Sequence, residues 1–330
     1  SACLVGSEMC IRDRDSSWYT LFIPEPQMLF TDFGSQTAMW HDILVTLLKG
    51  YVEKVYNNAK SRWMSQNVET AYLDSSHPNF EEEYRVLMHK ELFKNEDEAG
   101  FCKAINKLKQ ELTEGTFSKS IRIANSNDFE ALYIAGHLYQ PLLYLNESSF
   151  KHKEIGNLIE VRPVALNKGE RDFVCDIQRF FDNNPAFFEG KSLYLLRNKS
   201  RKGIGFFDDS GFYPDFIVWL VVGEHQYVSF IDPKGITYLN GFASSKIQLY
   251  KFIRDDIEPG LHDTSITLNS YIISNTEMKD VKHWVDFPEL DLSSKQKKFN
   301  EHHVYFQGDQ RDSYIRLILE NMISSSETNV

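Results

Sequence analysis

The chain has 330 residues, a net charge of −11 and an ordinary globular composition, with 42% hydrophobic and 25% charged residues. No apolar run approaches the roughly 18 residues needed to span a bilayer, so we expect no membrane segment. Four cysteines without CxxC spacing exclude a disulfide scaffold and fit a reducing cytoplasm. The acidic balance argues against an open, non-specific nucleic-acid binder, although a cation held by carboxylates would reverse the field locally.

The first residues, 1–14, do not fit the rest of the chain. The segment Cys3–Arg14 reads CLVGSEMCIRDR, has neither a helical nor a strand period, and resembles translated sequencing-adapter sequence. It also lacks the apolar core of a signal peptide. We therefore expect native sequence to begin near Asp15, with the true N-terminal portion missing; a genuine disordered terminus is the alternative.

Residues 15–158 are predicted to form a mainly helical connector region. Apolar side chains recur at helical spacing within a long helix expected over 35–64. Further helices are expected at 80–93, at 98–113 and from Phe129 to Tyr139. The apolar stripe of the first helix consists of Ile43, Leu44, Leu47, Leu48, Tyr51, Val52 and Val55. The region has no recognisable catalytic motif, so its apolar stripes are interpreted as core.

Residues 159–330 have the pattern of an α/β domain with a mixed central sheet flanked by helices. Helices are predicted over Glu170–Asn183 and Ser245–Ile257. Four strands are predicted, at Ser192–Arg197, Phe212–Val222, Gln226–Asp232 and Ile266–Ile273. The resulting order is α-β-β-β-α-β. A further strand (His303–Phe306) and a helix (Asp312–Met322) close the chain.

Two short motifs of this domain carry chemistry: Pro214-Asp215 and Asp232-Pro233-Lys234. If the intervening segment folds as a hairpin about Glu224–His225, Asp215 and Lys234 lie equally far from the turn, with Asp232 beside them. Because side chains alternate along a strand, Asp232 and Lys234 point to the same face. Two carboxylates can hold Mg²⁺ through oxygen ligands, and the lysine can position the attacking water or neutralise charge on a phosphate.

Glu170 is a candidate fourth member of this group. At helical spacing it shares a face with Phe173, Val174 and Ile177, the face that must pack on the sheet. A carboxylate on that face is costly without a partner, and a metal would serve. Alternatively, Glu170 is an exposed first-turn residue that the helix dipole favours.

This arrangement resembles the PD-(D/E)xK nuclease signature. The segments LYLLRN (193–198), GIGFF (203–207), YPDFIVWL (213–220) and FIDPKG (230–235) are similar to the C-terminal endonuclease region of type III restriction-type DEAD/DEAH helicase–nuclease proteins. The similarity extends from about residue 35 to the end. It implies a restriction-endonuclease-like core, metal ligation by Glu170, Asp215, Asp232 and the Pro233 carbonyl, and catalysis by Lys234. Position 232 carries Asp where Glu is commoner in the family.

The resemblance further implies Mg²⁺-dependent cleavage of double-stranded DNA, with Mn²⁺ able to substitute, in the prokaryotic cytoplasm. It also implies a helicase motor upstream and a methyltransferase or specificity subunit as partner. The acidic net charge motivates an alternative, a non-catalytic DNA-binding or assembly module that retains the nuclease fold. A third reading is an RNA or repair nuclease that shares the same core.

A cluster of basic residues follows the first predicted strand of the domain, and it has two interpretations. It contacts DNA, or it is a solvated loop. Its members are Arg197, Lys199, Arg201 and Lys202.

Gly190-Lys191-Ser192 lacks the first glycine of a P-loop, and His302-His303 has no zinc-ligand spacing. Asp208-Asp209 is interpreted as a turn and Cys175 as packing.

Overall fold

The structure is a computed structural model in which the chain divides into two compact units, Ser1–Asn67 and Val68–Val330. The described residues are 2–5, 8–12, 18–22, 33–66, 73, 76–80, 83–94, 96–122, 128–134, 141–206, 212–237, 239, 241–281, 291–311 and 313–324. Among these residues, no helix combines the length and the apolar character needed to cross a bilayer.

The first unit consists of a small sheet and one long helix. Strands β1 (Ala2–Val5), β2 (Glu8–Arg12) and β3 (Trp18–Phe22) pair in antiparallel order, and helix α1 spans Phe33–Gln66. The helix predicted over 35–64 is therefore confirmed. Strands β1 and β2 lie in the segment interpreted as non-native or disordered; whether that segment is native sequence stays a prediction.

The apolar stripe of α1 is only partly covered. Ile43 and Leu47 are buried, whereas five other members of the stripe are exposed. The exposed members are Leu44, Leu48, Tyr51, Val52 and Val55. The interpretation of the whole stripe as core is wrong for these five side chains.

The second unit begins with one helix and several short strands. The helix predicted at 98–113 is confirmed as α2 (Glu96–Glu114). The strands are β4 (Arg85–Met88), β5 (Ile121–Arg122), β6 (Phe129–Leu132), β7 (Leu142–Leu145), β8 (Lys151–His152), β9 (Gly156–Asn157) and β10 (Ile159–Arg162). Strands β5, β6 and β7 form an antiparallel sheet, β4 pairs with β10, and β8 pairs with β9.

Two helices predicted in this region are wrong. The segment predicted as a helix at 80–93 contains β4 and a 3-10 turn, Lys90–Lys94. The helix predicted from Phe129 begins instead with β6, and residues 135–140 lie outside the described part of the chain. All four residues of β6 are buried, and a short run buried on both faces has the same apolar sequence as a buried helix turn. Pairing with the neighbouring strands β5 and β7 stabilises the strand instead of a helix.

A five-stranded mixed sheet forms the centre of the second unit. Its strands lie in the order β11 (Lys191–Arg197), β12 (Phe216–Val222), β13 (His225–Lys234), β14 (Ile266–Ser274) and β15 (Val304–Phe306). The pairs from β11 to β13 are antiparallel, and those from β13 to β15 are parallel. Its helices are α3 (Lys168–Asn183), α4 (Ser245–Phe252), α5 (Glu258–Leu261), α6 (Leu292–Glu301) and α7 (Tyr314–Ser324).

Helices cover both faces of the sheet. On one face, α3 and α7 pack Phe173 and Ile318 against β12 and β14. On the other, α4 and α6 pack Ile247 and Phe299 against β14 and β15. The predicted fold class, α/β with a mixed central sheet flanked by helices, is confirmed, and its order α3-β11-β12-β13-α4-β14 matches the α-β-β-β-α-β pattern. Helix α6 was not predicted.

The core of the central sheet continues into the preceding strands. Leu132 of β6 and Leu142 of β7 belong to the same buried cluster as Phe173. The fully buried carboxylate of Glu130 accepts two 2.8 Å hydrogen bonds from the guanidinium of Arg171 in α3. The compact unit therefore runs across the boundary predicted between residues 158 and 159.

Candidate active site

A tight hairpin between β12 and β13 brings the two aspartates together. The turn is Gly223-Glu224, and Gly223 has a φ of 61°, as the first central position of a type II′ turn requires. Phe216 pairs with Ile231, so Asp215, one residue earlier, falls beside Asp232. The predicted midpoint at Glu224–His225 is one residue late, because β13 begins at His225. Asp215 therefore opposes Asp232 rather than Lys234.

Asp215 precedes β12 because the backbone at Pro214 cannot join a strand ladder as a donor. The Asp215 carbonyl accepts a 2.8 Å hydrogen bond from the Asn198 amide at the end of β11. Burial raises the pKa of the Asp215 carboxyl to about 8, and the neighbouring carboxylates of Asp232 and Glu170 add to this, while Arg197 opposes it. A carboxyl in this position holds a proton at neutral pH unless another cation replaces it.

Asp232 and Lys234 extend from the same face of β13, as predicted from alternation, and they form an ion pair. Burial lowers the pKa of the Lys234 ammonium, Asp232 opposes this effect, and the nearby Lys246 adds to it. The Lys234 side chain is 20% exposed, so it reaches solvent beside the two aspartates. An amine with a lowered pKa is suited to exchange a proton with water.

Glu170 closes the site from the first turn of α3. It forms a capping box with Asn167, whose side chain accepts a 3.0 Å hydrogen bond from the Glu170 amide and donates a 2.5 Å bond to the Glu170 carboxylate. Burial raises the pKa of Glu170, whereas Arg197 and the hydrogen bonds from Asn167 lower it. The alternative that Glu170 is exposed is wrong, because only 8% of the residue is accessible.

The basic cluster divides into two parts. Arg197 faces the site, where its guanidinium lies 3.1 Å from the Glu170 carboxylate. Lys199 donates a 3.2 Å hydrogen bond to the Phe80 carbonyl. Arg201 and Lys202 are exposed in the turn that follows. Arg197 is thus a partner of a site carboxylate rather than part of a solvated loop, and DNA contact by all four residues stays a prediction.

A pair of buried asparagines that no sequence motif indicates positions Asp215. The Asn198 side chain donates to the carbonyls of Ile204 and Pro214, at 2.7 and 2.8 Å, and accepts a 3.0 Å bond from Asn79. A Cβ atom at Gly203 would overlap the side-chain oxygens of both asparagines. Asn79, Asn198 and Gly203 therefore join the end of β11 to Ile204 and Pro214, and none of the three belongs to the two motifs of the sequence.

Lys246, in the first turn of α4, was not predicted as a site residue either. Its ammonium lies 5.5 Å from the centre of the Phe212 ring, and the Lys234 ammonium lies at the same distance from that ring. Both distances are those of cation–π contacts. Lys246 is twelve residues beyond Lys234 with a loop between them, so no sequence spacing connects the two.

The donor set suits a hard divalent cation at Asp215 and Asp232. The two carboxyls are in hydrogen-bonding contact, and their mutual repulsion is what a cation between them would relieve. Pro233 lies between Asp232 and Lys234 on β13, paired with Ile273, and its role as a carbonyl ligand stays a prediction. Within the described residues, no three His, Cys, Asp or Glu side chains are grouped closely enough to form a metal-holding set. Glu170 forms an ion pair with Arg197, so it would join Asp215 and Asp232 as a third metal ligand only by giving up that pair.

The other motifs weighed in the sequence analysis have structural roles where the structure describes them. His303 stacks between Tyr250 and Tyr271, with ring centroids 4.0 and 4.9 Å apart, and burial lowers its pKa to about 4. Cys175 packs against the core of the central sheet, and burial raises the pKa of its thiol. Lys191 and Ser192 begin β11 rather than a phosphate loop. Asp208-Asp209 lies outside the described residues.

Comparisons of the chain with protein-family models, with curated proteins and with solved structures gave no match. The resemblance to PD-(D/E)xK nucleases therefore stays a prediction from the motifs of the sequence.

Proposed function

We propose that this chain is a Mg²⁺-dependent DNA endonuclease of the PD-(D/E)xK type, with a restriction-endonuclease-like core. The observation that supports this proposal best is the contact between Asp215 and Asp232 at one end of the β12–β13 hairpin, with Lys234 beside them. The signature requires two carboxylates and a lysine at one sheet end; here Asp215 stands directly before β12, and Asp232 and Lys234 lie at the end of β13. The α3-β11-β12-β13-α4-β14 order gives independent support.

In this proposal Asp215 and Asp232 hold the cation, with Glu170 and the Pro233 carbonyl as further ligands. When bound, the cation polarises the phosphate and lowers the pKa of a coordinated water. Lys234 positions the attacking water and, as the neutral amine, takes up its proton to become the ammonium; burial, which lowers the pKa of this side chain, favours the neutral form. The Asp232 carboxylate orients Lys234 through their ion pair.

Arg197 has a second role in the proposal. When no cation is bound, the Arg197 guanidinium neutralises the Glu170 carboxylate at a distance of 3.1 Å. Arg197 would lose this partner if Glu170 became a ligand of the cation. A released guanidinium at the rim of the site is suited to a backbone phosphate, which it binds through two parallel hydrogen bonds. This extends the predicted DNA contact of the basic cluster, with Lys199, Arg201 and Lys202 further along the same loop.

The wider assignment belongs to the same proposal. The chain would be the cutting portion of a prokaryotic cytoplasmic restriction or defence protein that acts on double-stranded DNA. A helicase motor would precede it in the native protein, and a methyltransferase or specificity subunit would select the DNA. These partners rest on the family resemblance alone.

Cleavage of plasmid DNA by the full chain tests the mechanism. We expect nicking or linearisation with Mg²⁺ or Mn²⁺, and a loss of at least about a hundredfold in Lys234→Ala, because that change removes the proton-transfer group. Lys251→Ala is the matched control, since Lys251 lies on α4 over the Tyr250 ring and not in the site. Cleavage by Lys234→Ala at the rate of the unsubstituted chain would refute the mechanism.

A non-catalytic DNA-binding or assembly module is the second candidate. It is favoured by the two ion pairs of the site, Arg197–Glu170 and Lys234–Asp232, which already neutralise two of the three carboxylates. Binding of duplex DNA without a divalent cation, together with no cleavage in Mg²⁺ or Mn²⁺, would support this candidate. Electron density between Asp215 and Asp232 in crystals grown with Mn²⁺ would count against it.

A further inference from the structure

Two ammonium groups share one aromatic ring at the edge of the candidate site. The Nζ atoms of Lys234 and Lys246 each lie 5.5 Å from the centroid of the buried Phe212 ring. The two ammonium groups are close enough to repel each other electrostatically. Lys234 comes from the end of β13 and Lys246 from the first turn of α4, so two separate elements converge on the ring.

Among the residues that the structure describes, the charges around the ring are not balanced. Lys234 pairs with Asp232, but within the described part of the chain Lys246 forms no salt bridge. Two ammonium groups this close repel each other, and each is partly removed from water by the ring and the strand end. An anion between them converts this repulsion into two attractions. The face of Phe212 stabilises both cations while the anion is absent.

The position of the pair selects the chemistry of the anion. Lys234 is next to Asp232 and Asp215, the residues to which the proposed function assigns the cation that polarises a phosphodiester. An anion that contacts Lys234 and Lys246 together is therefore the phosphate being cleaved or its immediate neighbour along the strand. A lysine ammonium is a suitable point charge for such a group, and its contact carries no sequence information.

We propose that Lys246 binds a backbone phosphate of the nucleic acid beside Lys234, as a second cationic residue of the site. The inference rests on the proposed function and deepens it, because it extends the phosphate contacts from the β12–β13 hairpin to helix α4. Lys246 binds and orients the phosphate, whereas Lys234 acts on the attacking water. The Phe212 ring contacts both ammonium groups at the end of β13.

Binding of a short fluorescent DNA duplex, measured by anisotropy over a salt series in Ca²⁺, tests this role without cleavage. Lys246→Met keeps the side-chain length and removes the charge. We expect it to weaken binding roughly tenfold, the loss typical of one charge-assisted hydrogen bond. The slope of log affinity against log salt should fall by about one, the value of one phosphate contact. Lys246→Arg should restore most of both quantities.

Lys251→Met is the matched control, because Lys251 lies on the same helix and its Nζ is 5.7 Å from the ring of Tyr250. It should leave affinity and salt slope unchanged, and thermal melting of each variant checks that the fold is kept. An unchanged affinity and slope in Lys246→Met, while the unsubstituted chain binds and cleaves DNA, would overturn this inference and leave the proposed function standing. An unsubstituted chain that neither binds nor cleaves duplex DNA would overturn both.

Discussion

Replacing Asp215 with asparagine should stabilise the protein without a cation, although it removes a proposed metal ligand. The pKa of Asp215 is about 8 in the folded protein, against an ordinary value of 3.8. The unfolded chain therefore loses this proton near pH 4, while the folded chain keeps it to about pH 8. Because the folded state binds the extra proton, stability falls as pH rises through this window. Asp215→Asn removes the group that causes the fall.

The size of the effect follows from the same difference. Each pKa unit corresponds to about 1.36 kcal/mol, so a shift of this size corresponds to roughly 6 kcal/mol. The carboxyl is partly exposed, so screening by solvent reduces the net gain at pH 8 to on the order of 2 kcal/mol. For a protein of this size that equals a rise in Tm of roughly 3–4 °C.

Thermal melting from pH 4 to pH 8, with EDTA or with Mg²⁺, measures this effect. With EDTA, the Tm of Asp215→Asn should exceed that of the unsubstituted chain at pH 8 and match it at pH 4. With Mg²⁺, the unsubstituted chain should gain Tm and the variant should not. Asp263→Asn is the control, because hydrogen bonds from Ser265 lower the pKa of this exposed carboxyl and its loss gives no gain. A variant with a lower Tm than the unsubstituted chain in EDTA at pH 8 would refute the reasoning.

Two further predictions concern the surroundings of the site. Gly203→Ala forces a methyl group into Asn79 and Asn198, so we expect a loss of on the order of 2 kcal/mol in unfolding free energy and reduced cleavage. Urea denaturation measures the first effect, and Gly115→Ala, which meets no atom but has a positive φ, separates overlap from backbone strain. His303 has a pKa of about 4, below its ordinary 6.5, so its contribution to stability is lost as pH falls through this interval. His303→Asn should flatten the Tm profile there; an unchanged slope would contradict this.

The elements of the central sheet could be predicted because their signals are local. Helix α3 has an apolar face at helical spacing, and β12 and β13 are buried runs on both sides of a glycine turn. The motif residues Asp215, Asp232 and Lys234 could be placed at one sheet end from the hairpin alone. The two-residue difference in their pairing arose because the exact turn depends on φ at Gly223.

The parts that could not be predicted depend on contacts between remote residues. Arg197 reads as one of four basic loop residues, and only its distance from Glu170, 27 positions earlier, makes it part of the site. The short strand β6 was interpreted as a helix because its partners β5 and β7 decide its conformation. No sequence pattern indicated Lys246 as a site residue, because the number of residues between β13 and α4 follows no known motif.

The Glu130–Arg171 contact couples the sheet of β5, β6 and β7 to the candidate site. Arg171 follows Glu170 directly in the first turn of α3. Its two 2.8 Å hydrogen bonds to Glu130 restrict movement of β6 relative to α3. A displacement of β6 along its own direction would move the first turn of α3, which carries Glu170. It would thereby change whether Glu170 pairs with Arg197 or binds a cation. A neighbouring module that binds this small sheet would therefore affect the proposed cleavage without contacting the aspartates.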